Sequence, residues 1–589
     1  MWATGHLLLV ALTAATAGLA APNCPPLGPT FEPPRNFARS GAIRAAIANL
    51  TETLRARDQD NSPSVLANLT SYSIEVLSTS QETPVIFSWH HTASSLTATD
   101  GGNATVGVTK VEADTVYRLG SLTKTFTIYT WLVQDGDSKW NEPITKYVPE
   151  LAAAAERAKL DPVGNVPWDE VTIGSLAGQL SGAIRDCERP AMLAALGFPP
   201  LNSSDPTLPP CGAWPLCNRT GMGEQASRAE LCKAPPSYAP FTTPAYTNTG
   251  FQILAYALES IKGKSFESMM QESVLRPLGL NHTFYTAAPA EVGIIPGGNL
   301  SAAGWNYQLG DENPAGNMFS SIADISALGR AILRSDLIPP SLTRRWLKPA
   351  SYSSELIAGV GYPWGVRRIP LSSYGANGKR VVDAYNKAGR IGYYASLLIL
   401  LPDYDAGLSI LVAGPNIPGN TNWNLADLVG THMVPALEAA AREQADARYA
   451  GEYTYSAGNS SIRLTTQNDR PGLGVESWIS NGTDMKLVGV VLSAGYQPVD
   501  PSIRLYPTGL ETVREDGSKR VAFKGVFEDL NLPSRPDSMF STDCGTWVSL
   551  TGVTYGTYPL DQFVFEIGRD GRVRSVENLA LRVAMGKKG

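Results

Sequence analysis

Histidine is scarce in this sequence, and its scarcity removes several common catalytic sites. Five histidines occur among 589 residues, at positions 6, 90, 91, 282 and 432. His90 and His91 are neighbours in a segment that alternates like a strand, so their rings point to opposite faces. The sequence also has no G-x-S-x-G elbow, no H-E-x-x-H motif and no glycine-rich phosphate loop. These absences argue against a Ser-His-Asp triad and a zinc hydrolase, and we predict no metal site and no cofactor.

An excess of positive charge and a late hydrophobic run are also absent. Lys and Arg number 48 against 54 Asp and Glu, which gives a net charge of −6. Because binding to a phosphate backbone needs a basic surface, the composition predicts no nucleic-acid partner. After the N-terminus, no segment stays apolar over the roughly 18 residues that a membrane helix needs. We therefore expect no stable membrane anchor.

Three features predict export. Residues 1–20, MWATGHLLLVALTAATAGLA, have the short apolar core and small final residues of a secretory signal peptide, with a membrane anchor as the alternative. The six cysteines are an even number, as in oxidising compartments; a short Cys211–Cys217 loop is a candidate pairing and the other pairings stay open. Nine N-x-S/T sequons predict N-glycosylation in a eukaryotic secretory pathway: Asn49, Asn68, Asn103, Asn202, Asn218, Asn281, Asn299, Asn459 and Asn481.

Residues 21–448 mix helical and strand patterns, and we interpret them as one catalytic domain. The spacing of apolar residues predicts helices over 38–57, 249–262 and 425–448, and SYSIEVLS and TPVIFSWHH alternate like strands. The segment SLLILLPDYDAGLSILVAG predicts a hairpin with Gly407 in its turn. Residues 185–240 are rich in Pro, Gly, Ser and Cys, which indicates a long surface insertion stapled by disulfides.

Residues 449–589 have a different pattern of apolar residues. Short alternating runs, among them GEYTYS, SIRLTTQ, MKLVGVVLS, RVAFKGVF and QFVFEI, are separated by Gly, Pro and Asn. This pattern predicts an antiparallel β domain, either a barrel or a sandwich, that begins near residues 445–452.

The segment YRLGSLTKTFTIYTWL (117–132) places Ser121 at the start of a predicted helix and Lys124 one turn later. The ordinary interpretation is a helix-capping serine and a solvated lysine. The alternative is a nucleophile with its base, because residues i and i+3 share a helix face and a helix N-terminus favours a developing oxyanion. A lysine with an ordinary pKa of roughly 10.4 is protonated at neutral pH. The alternative therefore requires a second cation nearby, which lowers that pKa.

Two other segments contain the partners that this hypothesis requires. PAYTNTGFQIL contains Tyr246 and Asn248, and YNKAGRIGYYASLLIL contains Lys387, Ala388 and Gly389 just before an apolar strand. A tyrosine can relay a proton, and a second lysine can supply the positive charge.

The motifs S-x-x-K, Y-x-N and K-x-G, in this order, resemble those of the serine β-lactamase and penicillin-binding-protein family, in its class C-like branch. The flanking segments DTVYRLGSLTKTFT, VTIGSLAGQLSGAIRD and GYPWGVRR follow in family order, and the likeness covers residues 35–435. The resemblance implies an α+β fold, with an antiparallel sheet flanked by helices and a helical subdomain. The tail resembles the small all-β C-terminal domains of some β-lactamase-like proteins, notably fungal secreted ones.

The resemblance also implies roles for the motif residues. Ser121 would be the acylated nucleophile, with Lys124 and Tyr246 moving the proton. Asn248 would bind the acyl-side amide of the substrate or hold Lys124. Lys387 would keep the site positive.

The third motif would complete an oxyanion hole and contact the substrate through Ala388, Gly389 and Arg390. The hole would consist of the backbone N–H groups of Ser121 and Arg390. Two positions depart from the family pattern: Ala388 lacks the hydroxyl usual in K-T-G, and Gln179 stands where many relatives carry histidine.

We therefore predict a secreted serine hydrolase that forms an acyl-enzyme with an ester, amide or lactam of a small molecule or peptide. One alternative is an acyltransferase or cyclising enzyme of secondary-metabolite biosynthesis, in which an alcohol or amine replaces water. Another is an inactive binding or scaffold protein. The sequence carries no indication of the oligomeric state.

Overall fold

The computed structural model describes residues 24–97, 106–185, 235–371, 380–467, 470–532, 539–540 and 544–588. The predicted signal peptide and most of the 185–240 insertion lie outside these residues, as do Cys187, Cys211, Cys217 and Cys232. The chain divides into two compact units. The larger unit consists of Ala45–Arg368 and Asp383–Met433, and the smaller of Met1–Arg44, Ile369–Val382 and Val434–Gly589.

The strands up to residue 449 are β1 Ser71–Ser78, β2 Val85–His91, β3 Val116–Arg118, β4 Phe319–Ser321, β5 Ser351–Tyr352, β6 Ala358–Val360, β7 Gly365–Leu371, β8 Arg380–Ile391, β9 Tyr394–Leu401 and β10 Ala406–Ala413. Eight of them form one sheet in the order β2-β1-β10-β9-β8-β7-β6-β5. The pairs β2–β1, β1–β10, β10–β9, β9–β8, β7–β6 and β6–β5 are antiparallel. Every residue of β1 and β10 is buried, as expected for central strands covered on both faces. A separate pair, β3 with β4, leads into the predicted nucleophile segment.

Helices are interspersed with these strands along the described residues of this part of the chain. The predicted helices are confirmed at Gly41–Arg57, Thr249–Lys262 and Thr421–Tyr449. The α-helices up to residue 449 are Gly41–Arg57, Ser94–Thr97, Thr123–Asp135, Ala152–Ala158, Ile173–Ala177, Thr249–Lys262, Phe266–Met270, Leu300–Ala303, Asn313–Gly316, Ile322–Arg334, Pro340–Trp346 and Thr421–Tyr449. The helix Ile322–Arg334 packs on β1 and β10, and its buried face belongs to the main hydrophobic core.

The predicted hairpin is present as β9 and β10, but its turn is not where the sequence placed it. The connection runs through Pro402–Tyr404 and Asp405, which has a left-handed backbone with φ 48°. Gly407 lies inside β10, so its prediction as a turn residue is wrong. A Cβ at Gly407 would approach the carbonyl oxygen of Ile399 to 2.4 Å, so glycine serves a close strand contact there.

The smaller unit contains a closed antiparallel barrel, which decides between the barrel and the sandwich. Its strands are β11 Gly451–Tyr455, β12 Ser460–Thr465, β13 Leu473–Ser480, β14 Thr483–Asp484, β15 Pro501–Val513, β16 Lys519–Asp529, β19 Gln562–Ile567, β20 Val573–Asn578 and β21 Val583–Lys587, with the short pair β17 Thr554–Tyr555 and β18 Tyr558–Pro559 outside the barrel sheet. Their order is β12-β11-β21-β20-β19-β16-β15-β13-β14, and β12 also pairs with β13 to close the ring. Aromatic side chains, including Trp478, Phe523, Phe563 and Phe565, fill the core.

One predicted strand of this domain is a helix. The run MKLVGVVLS forms the helix Met485–Ala494, which packs against β13, β15 and β16. The Asp484 side chain caps it by accepting hydrogen bonds from the backbone N–H groups of Lys486 and Leu487, and Gly495 ends it with φ 77°. The apolar run is short enough to fit the residue spacing of either a helix or a strand, and the caps at its two ends favour the helix.

Cys24 and Cys544 form a disulfide within the smaller unit, with their Cα atoms 5.1 Å apart. In the part of the chain that the structure describes, no helix has both the length and the hydropathy to cross a bilayer.

Candidate active site

A tight turn positions Ser121. The chain leaves β3 and forms the 3-10 turn Gly120–Leu122 before the helix Thr123–Asp135 begins. Gly120 has a left-handed backbone with φ 55°, and a Cβ there would lie 2.5 Å from the backbone nitrogen of Arg390. Glycine is therefore required where the turn meets strand β8.

Ser121 does not cap the helix. Neither the 3-10 turn nor the following helix has a side-chain cap hydrogen bond. Instead, the Ser121 hydroxyl accepts a hydrogen bond from the Tyr246 hydroxyl at 2.7 Å and lies 3.2 Å from Lys124 Nζ. The structure therefore brings together the first two predicted motifs, although they are 125 residues apart in sequence.

Lys124 is fully buried, and oxygen atoms of Asn248, Ala315 and Ser121 lie close to its amine. Its Nζ lies 2.5 Å from Asn248 Oδ1, 2.7 Å from the Ala315 carbonyl and 3.2 Å from Ser121 Oγ. A neutral amine has two N–H donors and one lone pair. Donation to Asn248 and Ala315 would leave the lone pair for the proton of Ser121, which is the geometry that a general base needs.

Lys387 supplies a second cation beside the same tyrosine. Its Nζ lies 5.5 Å from the centroid of the Tyr246 ring, and Lys124 Nζ lies 5.0 Å from that centroid. Burial lowers the pKa of Lys387 to about 8; Tyr246 opposes this shift and the nearby Lys124 adds to it. The two lysines therefore flank one phenol ring.

The third motif lies on β8 against the serine turn. Gly389 pairs with Ser396 across β9, and a Cβ at Gly389 would lie 1.9 Å from the Leu119 carbonyl oxygen and 2.7 Å from the Ser121 nitrogen. Only glycine allows this approach of backbone to backbone. Ala388 is half-buried, and its carbonyl accepts a hydrogen bond from Lys387 Nζ at 2.6 Å.

The side chain of Arg390 contacts the carbonyl of Ile417. Its Nη2 donates to the Ile417 carbonyl at 2.8 Å, and the side chain is exposed. Its backbone nitrogen is the part that lies near Gly120. The predicted role of the Arg390 backbone N–H in an oxyanion hole therefore stays a prediction, and the position of this nitrogen beside the turn that contains Ser121 is compatible with it.

Sequence reasoning missed three neighbours of the site. The Ala315 carbonyl could not be recognised from the sequence, because every residue has a backbone carbonyl. Arg185 lies with its guanidinium 5.2 Å from the Tyr246 ring centroid, at the edge of a segment interpreted only as an insertion. Gln179 was noted as a departure from the family pattern but was not placed in the site.

Gln179 accepts hydrogen bonds from the residues directly before and after Tyr246. Its side-chain Oε1 accepts a hydrogen bond from the Thr247 nitrogen at 2.6 Å, and its own carbonyl accepts one from the Ala245 nitrogen at 2.9 Å. The residue is 5% exposed and has a left-handed backbone with φ 62°. Such a conformation is uncommon for a residue other than glycine and indicates a local constraint. We interpret Gln179 as a positioning residue for the phenol of Tyr246.

Replacing Gln179 with methionine is expected to lower kcat by about 10- to 100-fold with little change in KM, because a misplaced phenol slows proton transfer more than binding. Gln179→Glu keeps the acceptor oxygen and should retain most of the activity. Steady-state kinetics of both variants check this prediction. Equal losses in the two variants, or a change confined to KM, would contradict the positioning role.

Another serine also has a base within reach. Ser88 Oγ lies 3.0 Å from His90 Nε2, and His90 Nδ1 lies 3.0 Å from Ser73 Oγ. Burial lowers the pKa of His90, so its imidazole is neutral near pH 7. Its orienting partner is a hydroxyl and not the carboxylate of a triad, which makes it the weaker base. Ser88 therefore serves best as a control for Ser121.

Across the described residues, no group of three or more His, Cys, Asp or Glu side chains is arranged to hold a metal ion.

Comparison with known proteins identifies the family of both parts of the chain. The family described as Beta-lactamase matches residues 82–430, and the family described as Beta-lactamase-like-like, C-terminal domain, matches residues 441–589. A Beta-lactamase-like protein of Arthroderma benhamiae is 29% identical, over 98% of both chains. Probable hydrolase clz13 of Cochliobolus lunatus is 26% identical, over 86% of this chain and 83% of the relative.

Among solved structures, a D-stereospecific amidohydrolase from Streptomyces aligns with a TM-score of 0.43 and 17% identity, over 66% of this chain and 98% of that one. The family match to residues 82–430 covers more than half of the sequence. This chain therefore belongs to the beta-lactamase family of serine hydrolases and has a beta-lactamase-like C-terminal domain.

Proposed function

We propose that the protein is a secreted hydrolase that cleaves an ester, amide or lactam through an acyl-enzyme at Ser121. The observation that carries the proposal is the position of the Ser121 hydroxyl, within hydrogen-bond distance of both Tyr246 and Lys124. A serine needs such a base to become a nucleophile, and the described site has no histidine in that role.

In the proposed acylation, Ser121 Oγ bonds to the substrate carbonyl carbon as its proton passes to Lys124 Nζ. The negative charge that develops on the carbonyl oxygen is stabilised by the backbone N–H groups of Ser121 and Arg390. The bond to the leaving group breaks as that group takes a proton through Tyr246. Water then attacks the acyl-enzyme, releases a carboxylic acid and returns the proton to Ser121.

Asn248 supports Lys124 in this scheme, because its Oδ1 faces the amine at 2.5 Å. Of the two roles that the family resemblance implied for Asn248, this contact favours the holding of Lys124. Lys387 supplies the positive field beside Tyr246, and the absence of a hydroxyl at Ala388 favours substrates other than β-lactam carboxylates.

The proposed location outside the cell is supported by the Cys24–Cys544 disulfide, since structural disulfides persist in oxidising compartments. The signal-like N-terminus and the sequons agree with it. The proposed partner is a small molecule or peptide that carries the acyl group.

The test is intact-mass detection of a covalent acyl-enzyme across a panel of esters, lactams and D-amino-acid peptides. We expect at least one compound to add its acyl mass to the folded protein, with turnover to the free acid. Addition of a competing alcohol or amine separates hydrolysis from acyl transfer, since transfer would give the new ester or amide as the main product. If neither the panel nor a fluorophosphonate labels the folded protein, the proposal is wrong and a binding role is favoured.

The pH dependence of the reaction is expected to report Lys387. Because burial and Lys124 bring the pKa of Lys387 to about 8, its charge is lost as the pH rises through that value, and kcat/KM should fall there. Lys387→Arg keeps a cation of much higher pKa, so its decline should move to higher pH. Rate profiles from neutral to about pH 10 check this prediction, and an unshifted alkaline limb in Lys387→Arg would contradict it.

Deprotonation of Lys387 is expected to lower activity but to raise the free energy of unfolding. The folded pKa of Lys387 is lower than that of an unfolded lysine, so the unfolded state binds more protons between about pH 8 and 10.4. The cost of burying the charge is fully present below this window and is relieved as the pH rises through it. Falling activity with undiminished stability would therefore distinguish titration of the site from alkaline unfolding.

A further inference from the structure

The smaller unit contains a groove of about 810 Å³ that the proposed hydrolase chemistry does not use. Four stretches of chain line it: the segment before the helix Gly41–Arg57, the last turns of the helix Thr421–Tyr449, the turn between β19 and β20 with the start of β20, and the end of β21. We call it the basic groove, because its lining includes six cationic side chains: Arg39, Arg448, Arg572, Arg574, Lys587 and Lys588. Glu443 and Asp570 are the acidic lining residues.

Intramolecular ion pairs neutralise only part of this charge. Three cations have close carboxylate partners: Arg448 with Glu32 at 2.9 Å, Arg574 with Asp570 at 2.9 Å and Lys588 with Glu452 at 2.7 Å. Asp570 is also the nearest carboxylate to Arg572, at 4.0 Å. Arg39 and Lys587 form no ion pair with any carboxylate of the described residues. The groove therefore keeps an excess of positive charge on a protein whose net charge is −6.

Lys587 is held in a fixed position at this surface. Its Nζ donates to the Arg448 carbonyl at 2.8 Å and lies 5.7 Å from the centroid of the Tyr453 ring. Burial lowers the pKa of Lys587, and Asp446 opposes that shift. A bound anion would relieve this cost, because it stabilises the charged form of the amine.

We propose that the basic groove binds a ligand with two or more anionic oxygen groups. Its cations come from four separate stretches of chain, so a ligand with a single charge would meet only some of them. Guanidinium groups bind carboxylate, sulfate and phosphate oxygens in pairs, and four of the six cations are arginines. The volume lies within the range of about 300–1,000 Å³ that is typical of small-ligand sites. The same oxyanion chemistry occurs on soluble metabolites and on acidic polysaccharides.

The test measures binding of pyrophosphate, citrate and a heparin-derived sulfated oligosaccharide to the full-length protein by titration calorimetry at low salt. The groove variant Arg39→Ser/Lys587→Met removes the two cations that lack a carboxylate partner. The control Arg463→Ser/Lys519→Met removes the same charge from exposed positions of the same unit that do not line the groove.

We expect at least one probe to bind with a Kd below about 1 mM, and to bind about tenfold or more weakly to the groove variant. The control should stay within about twofold, and added salt should weaken binding because it screens the charges. Binding of pyrophosphate or citrate indicates a soluble ligand, whereas binding of the sulfated oligosaccharide alone indicates a polysaccharide.

Two results would overturn the proposal: no probe binding to the wild type at about 1 mM, or equal weakening in the groove variant and the control. If the double variant does not fold, Arg572→Ser alone, at a side chain that is 83% exposed, should weaken the same probe by about threefold. An unchanged Kd in that variant also overturns it. Ser121→Ala should bind the probe normally, so this test is independent of the hydrolase proposal.

Discussion

Replacement of Ser121 with alanine is expected to abolish covalent acylation and to lower turnover by at least about 10⁴-fold. The hydroxyl oxygen is the atom that would bond to the substrate, and no neighbouring group in the turn can take its place. Its two hydrogen-bond partners, Tyr246 and Lys124, would retain their other contacts, so the fold should survive. Intact-mass spectra with the best substrate of the panel measure the loss directly.

Ser88→Ala is the matched control, since Ser88 also has a base at 3.0 Å but in a different part of the larger unit. Its acylation and turnover should equal those of the wild type. Thermal unfolding of both variants checks that the loss in Ser121→Ala does not come from misfolding. Acylation that persists in Ser121→Ala and disappears in Ser88→Ala would move the nucleophile to Ser88.

Replacement of Lys124 with methionine is expected to lower kcat by about 10²- to 10⁴-fold, the usual contribution of a general base. Methionine has a similar length and fits a fully buried position, but it can neither accept the proton of Ser121 nor donate to Asn248 and Ala315. Leaving the buried Ala315 carbonyl without its donor costs about 1–3 kcal/mol, and removal of a buried amine offsets part of that cost. Single-turnover acylation rates and thermal unfolding measure the two effects separately.

Thr125→Val is the matched control for this variant. Thr125 is the next residue of the same helix, is fully buried, and has a hydroxyl without a hydrogen-bond partner among the described residues. Valine replaces that hydroxyl with a methyl group of similar shape, so stability and acylation should be unchanged or improved. An acylation rate in Lys124→Met within about threefold of the wild type would exclude Lys124 as the base.

The convergence of Ser121, Lys124 and Tyr246 could be predicted because each motif combines a reactive side chain with a local pattern that fixes its orientation. The i and i+3 spacing put Lys124 on the face of Ser121, and the family resemblance supplied the long-range partner Tyr246. Their contacts agree with that hypothesis, while their chemical roles stay predictions. Gly389 followed from the same motif, and the structure gives its physical reason in the backbone of Leu119.

The features that escaped prediction depend on contacts between distant backbone atoms. One is the contact of the Ala315 carbonyl with Lys124, and another is the pair of hydrogen bonds that Gln179 accepts from the residues on either side of Tyr246. Neither produces a recognisable pattern of side chains in the sequence. The helix Met485–Ala494 was predicted as a strand because the nine-residue run MKLVGVVLS fits the spacing of apolar residues in either a helix or a strand, and only the helix caps distinguish the two. Gly407 was placed in the turn because glycine is common there, whereas its actual reason is the approach of Ile399.

The Cys24–Cys544 bond turns most of the polypeptide into a covalent ring, because the two cysteines are 520 residues apart. A protease that cuts once anywhere inside this ring opens it but releases no fragment. Two cuts, or one cut followed by reduction, are needed before any piece can diffuse away. A singly nicked molecule should therefore migrate as one band on a non-reducing gel and as two bands after treatment with a thiol.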